Sequence, residues 1–291
     1  MKNKNQALMI PIMGGLGNQL FQFAAGLYLR KQYGIVPKFL LGTFTVRAVT
    51  TVRSCLLGDL VGADEESKMG LFSFKIITLL SKVKPSILVE EKGINDSPFA
   101  RITKSTKVII GYFQKQNYVE AVAGEIFKSM SDSPSFGKLL SAKPVNNIAV
   151  HIRLGDYASN RGVRRSVGLS AMSYYVNAVK SLQATHEYDN IVIYSDEPER
   201  AHSEFVNAFG ATIVPIVFSK NKNEFEDLVE ISSCKGLIIS NSTFSWWAGW
   251  LASHLHKCTV IAPRPWMAKP TIADKNLLLE SWVVVDREIL A

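Results

Sequence analysis

The first ordered pattern along the chain is an apolar run, ALMIPIM at 7–13, which breaks at Gly14-Gly15-Leu16-Gly17. From Asn18 onward Leu20, Phe21, Phe23, Ala24, Leu27 and Tyr28 recur at helical spacing, with Arg30 and Lys31 in the last turn and Gly34 as the stop. A short apolar run, a glycine break and a 3.6-residue period predict strand, turn and helix. Residues 35–144 are less regular. KVIIGYF at 107–113 predicts a strand, and the Ser/Pro/Gly-containing stretch Ser131–Lys143 predicts a linker.

From residue 145 the pattern becomes regular. Val/Ile-rich runs at 148–153, 191–195, 212–217, 237–240 and 259–263 alternate with helical periods near 170–185, 197–209, 223–234 and 243–255. Such alternation predicts right-handed βαβ units on a parallel, doubly wound sheet. Asp196 is expected to cap the helix at 197–209, with Pro198 in its first turn. Ligands of these sheets bind beyond the carboxyl ends of the strands. The polar residues there are Arg153-Leu154-Gly155-Asp156-Tyr157, Ser195-Asp196-Glu197 and Asn241-Ser242-Thr243-Phe244-Ser245.

Composition narrows the class. The chain has 291 residues, 47% of them hydrophobic, and a formal net charge of +8. That is enough for a substantial core and excludes disordered and collagen-like chains. Two domains are expected, 1–144 and 145–291. The first holds 19 basic and 10 acidic residues, a net +9, and the second 14 and 15, a net −1. The lysines come singly or in twos with no run of five, so no nucleic-acid partner is expected. Cys55, Cys234 and Cys258 form no C-x-x-C pair and read as inert thiols in a reducing compartment. The uncharged stretch 5–29 is broken by glycines, Asn18, Gln19 and Gln22, too polar for a membrane span, so a cytoplasmic protein is expected.

Candidate chemistry follows from the strand ends. The Gly15-x-Gly17 turn lets backbone N–H groups approach an anion at a helix N-terminus, with Asn18 able to cap that helix or reach a ligand; the plainer reading is a tight turn with Asn18 as cap only. His151 and Arg153, two apart on a strand, share a face. Arginine's planar fork suits a diphosphate. Gly155 permits a sharp exit, and Asp156 can either hold Arg153 or act as a base. Ser242, Thr243 and Ser245 can cap the helix they open, whose N-terminus can also hold phosphate. Trp246, Trp247 and Trp250 read as core. A P-loop, H-E-x-x-H, G-x-S-x-G and Asp-x-Asp are all absent, so a diphosphate leaving group would be neutralised by Arg153 and helix N-termini, with no metal.

GGLGNQLFQFAAG (14–26), GYFQ (111–114), VHIRLGDY (150–157), YSDE (194–197), ISNSTFSWWAGWL (239–251) and ESW (280–282) stand in an order and spacing that resembles glycosyltransferase family 11, the α-1,2-fucosyltransferases. The chain looks like a bacterial member, opening without the membrane anchor of animal relatives. The resemblance implies an α/β fold of GT-B type, two Rossmann-like domains with parallel sheets facing across a cleft. It implies that 1–144 lies on the acceptor side and that 145–291 binds GDP-β-L-fucose. Fucose would pass, with inversion, to the 2-hydroxyl of a terminal galactose on an O-antigen or other surface-polysaccharide repeat unit, with no metal and no cofactor beyond the donor.

The same resemblance implies the site. Gly15, Leu16, Gly17, Asn18 and Gln19 would form the turn at the donor, Asn18 reaching it across the cleft. His151 would lie against the nucleotide, Arg153 on the β-phosphate, Ser195 and Asp196 at the guanine, and Asn241, Ser242, Thr243, Phe244 and Ser245 around the diphosphate. Arg153, Asp156 and Asn18 would be catalytic. Two departures from the family pattern are Leu154, where a second arginine is common, and Ala248-Gly249, where Gly-Ala is usual. Alternatives are another linkage, another GDP-sugar, or a non-catalytic nucleotide-sugar-binding protein. The basic excess of 1–144 is expected to hold the protein peripherally at an anionic inner-membrane surface, where a lipid-diphosphate-linked glycan would be the acceptor.

Overall fold

The computed structural model describes residues 6–41, 57–61, 79, 81–220 and 223–290. Cys55 lies outside them. The chain divides into two compact units, Met1–Gly137 and Lys138–Ala291, a boundary a few residues before the expected one. No helix among the described residues is long and apolar enough to cross a membrane.

In the first unit, β1 (Ala7–Pro11) leads through the glycine turn into α1 (Leu16–Tyr33), β2 (Val36–Leu40) and α2 (Gly58–Val61). Then come β3 (Leu88–Glu90), β4 (Val108–Ile110), α3 (Gln116–Glu120), α4 (Ala123–Asp132) and α5 (Pro134–Leu140). The four strands form one parallel sheet in the order β2-β1-β4-β3. Helix α1 begins two residues before Asn18, with Gly15 as the N-cap residue, and ends at Gly34, whose φ of 65° is the left-handed stop that glycine adopts without strain. Leu8, Ile10, Ala25, Leu29 and Ile109 pack the core between α1 and the sheet.

The expected linker at Ser131–Lys143 is instead largely helix. Asp59 Oδ2 accepts the Ser133 hydroxyl at 2.7 Å and the Ser135 N–H at 2.9 Å, while Ser133 Oγ accepts the Phe136 N–H at 3.2 Å. Phe136 and Leu139 are fully buried. A distant carboxylate and two core side chains thus order a segment whose composition alone reads as a loop.

In the second unit, β5 (Val145–Ile152) is followed by α6 (Gly155–Ser159), α7 (Arg161–Val167), β6 (Leu169–Ser170) and α8 (Met172–Gln183). Next are β7 (Asn190–Ser195), α9 (Pro198–Phe209), β8 (Ile216–Phe218), α10 (Glu224–Ser233), β9 (Cys234–Ile238) and α11 (Thr243–His256). The chain continues through β10 (Thr259–Arg264), α12 (Ile272–Leu277), β11 (Val283–Asp286) and β12 (Ile289–Leu290). Six strands form a parallel sheet in the order β11-β10-β9-β5-β7-β8, and β12 pairs antiparallel with β6. Numbered within the unit, the large sheet has the doubly wound order 3-2-1-4-5-6, which reverses between β5 and β9 and opens its ligand crevice there.

Two expected features are corrected here. The strand at 212–217 shortens to 216–218, because Thr212 Oγ1 accepts the Val214 N–H in a local turn and Pro215 has no N–H to give a ladder. Helix α9 starts at Pro198 with Glu197 as its uncapped N-cap residue, so Asp196 does not cap it. Along β5, Ile148, Val150 and Ile152 join the core made with α8 and α9, which turns Ala149, His151 and Arg153 to the opposite face. Trp246, Trp247 and Trp250 are fully buried on α11 and stack edge to face, with ring centroids 5.2–5.3 Å apart.

Candidate active site

The switch point of the second unit gathers the residues that follow β5, β7 and β9. Arg153, one residue beyond β5, sits between two carboxylates: Nη2 is 2.7 Å from Asp156 Oδ1 and Nη1 is 3.1 Å from Asp196 Oδ2. Its Cζ lies 5.8 Å from the Tyr157 ring centroid. Burial alone would lower the basicity of the guanidinium; the charges of Asp196 and Asp156 outweigh it and leave the pKa raised. Asp196 Oδ1 also accepts the Leu154 N–H at 3.0 Å, which explains why this residue, expected as a helix cap, faces the loop after β5 instead. A Cβ on Gly155 would run into that carboxylate, so the residue must be glycine for Asp196 to reach across.

His151 is only 6% exposed, with Ser245 Oγ 2.8 Å and Ser240 Oγ 3.1 Å from Nδ1 and the Phe244 ring 5.1 Å away. Burial, then the nearby Arg153 charge, push its pKa down to about 4, so the ring is neutral near pH 7. It braces the start of α11 from inside. Ser245 Oγ also accepts the Ser240 N–H at 3.0 Å, and Ser242 caps α11 by accepting the Ser245 N–H at 3.1 Å. Of the hydroxyls expected to cap this helix, Ser242 does so, Ser245 serves His151, and Thr243 remains partly exposed beside Phe244. The N–H groups of Thr243 and Phe244, in the first turn, have no acceptor within the helix. Asn241 is buried, and its Nδ2 donates to the carbonyls of Val167, Gly168 and Trp266 at 2.9, 3.2 and 3.0 Å. Tyr157 Oη donates to the Asn241 carbonyl at 3.3 Å. Ser195 Oγ accepts the Glu197 N–H at 3.1 Å.

The first unit holds a second polar cluster at its own switch point, between β1 and β4. Gly14 has φ 81° and Gly15 carries no side-chain cap. The turn is held by two buried glutamines. Gln19 Nε2 donates to Gly14 O at 2.9 Å, and Gln22 bonds both the N–H and the carbonyl of Met13, at 2.8 and 3.1 Å. Leu16 and Gly17 are buried in the first turn. Asn18, at the third helical position, accepts from Gln114 Nε2 through Oδ1 at 2.9 Å, so it is not the cap. Its Nδ2 lies where a Cβ on Gly14 would press against it, and makes no hydrogen bond among the described residues.

Several contributors carried no local signal. Ser240 and Tyr157 lie inside recognisable motifs but gain their roles only through contacts made in the fold. Glu91, remote in sequence, accepts the N–H groups of Tyr112 and Phe113 at 2.8 and 2.9 Å and so fixes Phe113 at φ 53°, next to Gln114. Burial raises the Glu91 pKa. Among the described residues no group of three or more His, Cys, Asp or Glu side chains could hold a metal ion.

The sequence model of Glycosyl transferase family 11 matches residues 99–286. The O-antigen biosynthesis glycosyltransferase WbnK of Escherichia coli is 24% identical, over 94% of this chain and 98% of its own length. An alpha-1,2-colitosyltransferase of Escherichia coli is 26% identical, over 95% of this chain and 98% of its own. Among solved structures, the E. coli heptosyltransferase WaaC with ADP aligns over 97% of this chain and 93% of its own, at 13% identity and a TM-score of 0.49.

Proposed function

Because the chain belongs to glycosyl transferase family 11 and is therefore a glycosyltransferase, we propose that it moves L-fucose from GDP-β-L-fucose onto the 2-hydroxyl of a terminal galactose. The acceptor is the repeat unit of an O-antigen or similar surface polysaccharide, a reading that the similarity to the O-antigen biosynthesis glycosyltransferase WbnK supports. The observation that carries the proposal is Arg153 beside the open N-terminus of α11 at the β5/β9 switch point, a place built for a sugar diphosphate.

The N–H groups of Thr243 and Phe244 and the Thr243 hydroxyl hold the diphosphate. Arg153 has five N–H donors, and its two ion pairs leave others for the β-phosphate. As the bond from C1 to the phosphate oxygen breaks, its electron pair leaves with GDP, and these preorganised donors stabilise the growing charge. The galactose 2-hydroxyl bonds to C1 from the opposite face, inverting β to α. Asp156 divides its two duties between its oxygens. Oδ1 orients Arg153, while Oδ2, on a side chain 52% exposed, takes the proton of the attacking hydroxyl. His151, Ser240 and Ser245 act on the α11 terminus, not on the sugar. Asp196 keeps lone pairs for a guanine N–H alongside its hold on Arg153, with Ser195 next to it, while Asn241 fixes the backbone that opens α11. In the first unit, the Gly15–Gln19 turn presents Asn18 Nδ2, which has no partner among the described residues, to a substrate oxygen.

No metal is needed in this scheme, so EDTA should leave turnover unchanged; a strict Mn²⁺ requirement would overturn it. We also propose that the net +9 of residues 1–144 favours an anionic membrane surface. Co-sedimentation with anionic but not neutral vesicles is the expected result.

The alpha-1,2-colitosyltransferase among the relatives favours a second reading, in which the donor sugar is colitose, fucose without its 3-hydroxyl. Incubation with GDP-fucose, GDP-colitose and GDP-mannose and acceptors ending in β-galactose, followed by mass spectrometry and linkage analysis, separates the two. An α-1,2-fucosyl product supports the first reading. GDP binding without any transfer would leave only a nucleotide-sugar-binding protein.

A further inference from the structure

Buried cations in proteins are ordinarily paired with carboxylates, and Arg287 is not. It follows β11 in the second unit and is 6% exposed. Nε donates to Pro265 O at 2.7 Å; Nη1 to Gly168 O and Ser170 Oγ, both at 3.0 Å; Nη2 to the carbonyls of Val167, Trp266 and Met267 at 2.9, 3.1 and 3.2 Å. Every acceptor is uncharged, and no carboxylate among the described residues forms an ion pair with it. Asp274 acts on it from a distance, with its own Oδ1 taken by the Trp266 N–H at 2.6 Å. Five carbonyls and a hydroxyl make the guanidinium's burial tolerable without cancelling its charge.

Arg153 is in the opposite condition, since with Asp156 and Asp196 it forms a trio of net charge −1. Such a trio can give a diphosphate the hydrogen bonds of Arg153 but no net charge attraction. The two arginines are linked. The carbonyls of Val167, Gly168 and Trp266 each accept from both Arg287 and Asn241 Nδ2. Asn241 immediately precedes Ser242, the cap of α11, and its carbonyl takes the Tyr157 hydroxyl, whose ring lies under Arg153. Arg287 therefore lies one carbonyl away from the residue that opens the expected diphosphate site, and one residue past the segment matched by the family model.

We propose that Arg287 is a positioning residue that supplies, from behind Asn241, the unneutralised positive charge that draws the donor's diphosphate to the N-terminus of α11. This rests on the diphosphate-donor reading above and names the source of its charge.

The test compares GDP with guanosine, which lacks the charge, by calorimetry. Arg287→Gln removes the cation, Arg287→Lys keeps it, and Ser170→Asp leaves Arg287 in place but sets a carboxylate at its Nη1 contact, which serves if Arg287→Gln does not fold. Arg287→Gln and Ser170→Asp should each weaken GDP binding on the order of tenfold, the size of one charge acting over roughly 10 Å at an effective dielectric of about 20, with guanosine affinity unchanged. Arg287→Lys should recover most of the GDP affinity. Equal loss of GDP and guanosine in Arg287→Gln, or undiminished GDP binding in Ser170→Asp, would overturn the proposal. Wild-type protein that binds UDP or ADP but not GDP would overturn the guanosine-donor reading alone, and the same comparison then runs with that nucleotide and its nucleoside.

Discussion

The two units place polar clusters at equivalent topological points, where each parallel sheet reverses direction, yet the clusters are built from different chemistry. At the β1/β4 point the side chains are amides: Gln19, Gln22, Gln114 and Asn18, holding glycine backbone, with Asn18 Nδ2 making no hydrogen bond among the described residues. At the β5/β9 point they are ions and hydroxyls: Arg153, Asp156 and Asp196 around a serine-capped helix start, with Arg287 behind. The two units divide the labour. A turn held by neutral amides suits hydroxyls and fixes a backbone; a charged, preorganised crevice suits a leaving group that gains charge during reaction. Substitutions of the ions at the charged point should therefore damage chemistry, and those of the glutamines that hold the neutral turn should first damage the fold.

The sharpest way to break this contrast is Asp156→Asn. Turnover should fall by roughly 10²–10⁴, the range for a general base, while GDP binding measured by calorimetry persists; lost binding would instead reduce Asp156 to a support for Arg153. Arg153→Ala should lower kcat by roughly 10²–10³, as expected for one preorganised charge donor, and near-normal turnover would remove it from the site. His151 gives a pH signature. Its folded pKa of about 4 lies below the ordinary 6.5, so the unfolded chain binds more protons between those values. The stability it contributes is thus complete above pH 6.5 and is lost as pH falls towards 4, up to about 3 kcal/mol. Urea melts of wild type and His151→Gln at pH 7 and pH 5 should show a steeper loss in the wild type than in the variant, in which the partly buried His256, its pKa also lowered, still contributes.

The neutral point should respond differently. Gln22→Ala leaves the buried N–H and carbonyl of Met13 unpaired, and should cost about 2 kcal/mol of stability with turnover per folded molecule retained. A drop in turnover without a change in melting would give that glutamine a chemical role the comparison denies it. Asn18→Ala should have the smallest effect, about a tenfold loss in kcat/KM, the size of one substrate hydrogen bond, with the melting temperature unchanged.

How much of this was legible before folding varies with the range of the contacts. The strand-turn-helix opening, the Gly34 stop, the alternating second unit and the tryptophan core all follow from spacing within a few residues, and all are present. The strand expected at 212–217 is cut short locally, by the Thr212 turn and Pro215, but the other errors share one cause, a contact distant in sequence. Asp196 looks like a helix cap because Pro198 follows it, but Arg153 and the Leu154 N–H, 42 residues back, hold it elsewhere. Asn18 looks like a cap until Gln114, 96 residues on, takes its carbonyl oxygen. The stretch Ser131–Lys143 looks like a linker until Asp59 orders its serines.

Most of the helices and strands, the glycine turns and the composition of the charged crevice follow from the order of the residues alone, since periodicity and the freedom of glycine at positive φ are local properties of the chain. Only the tertiary structure decided how the charges at that crevice balance. Arg153 is offset by two carboxylates, His151 is buried against serines 89 and 94 residues away, and Arg287 is left uncompensated among carbonyls up to 120 residues distant. A charge's strength depends on which groups surround it and how much water they exclude, and neither is written in the order of the residues that carry it.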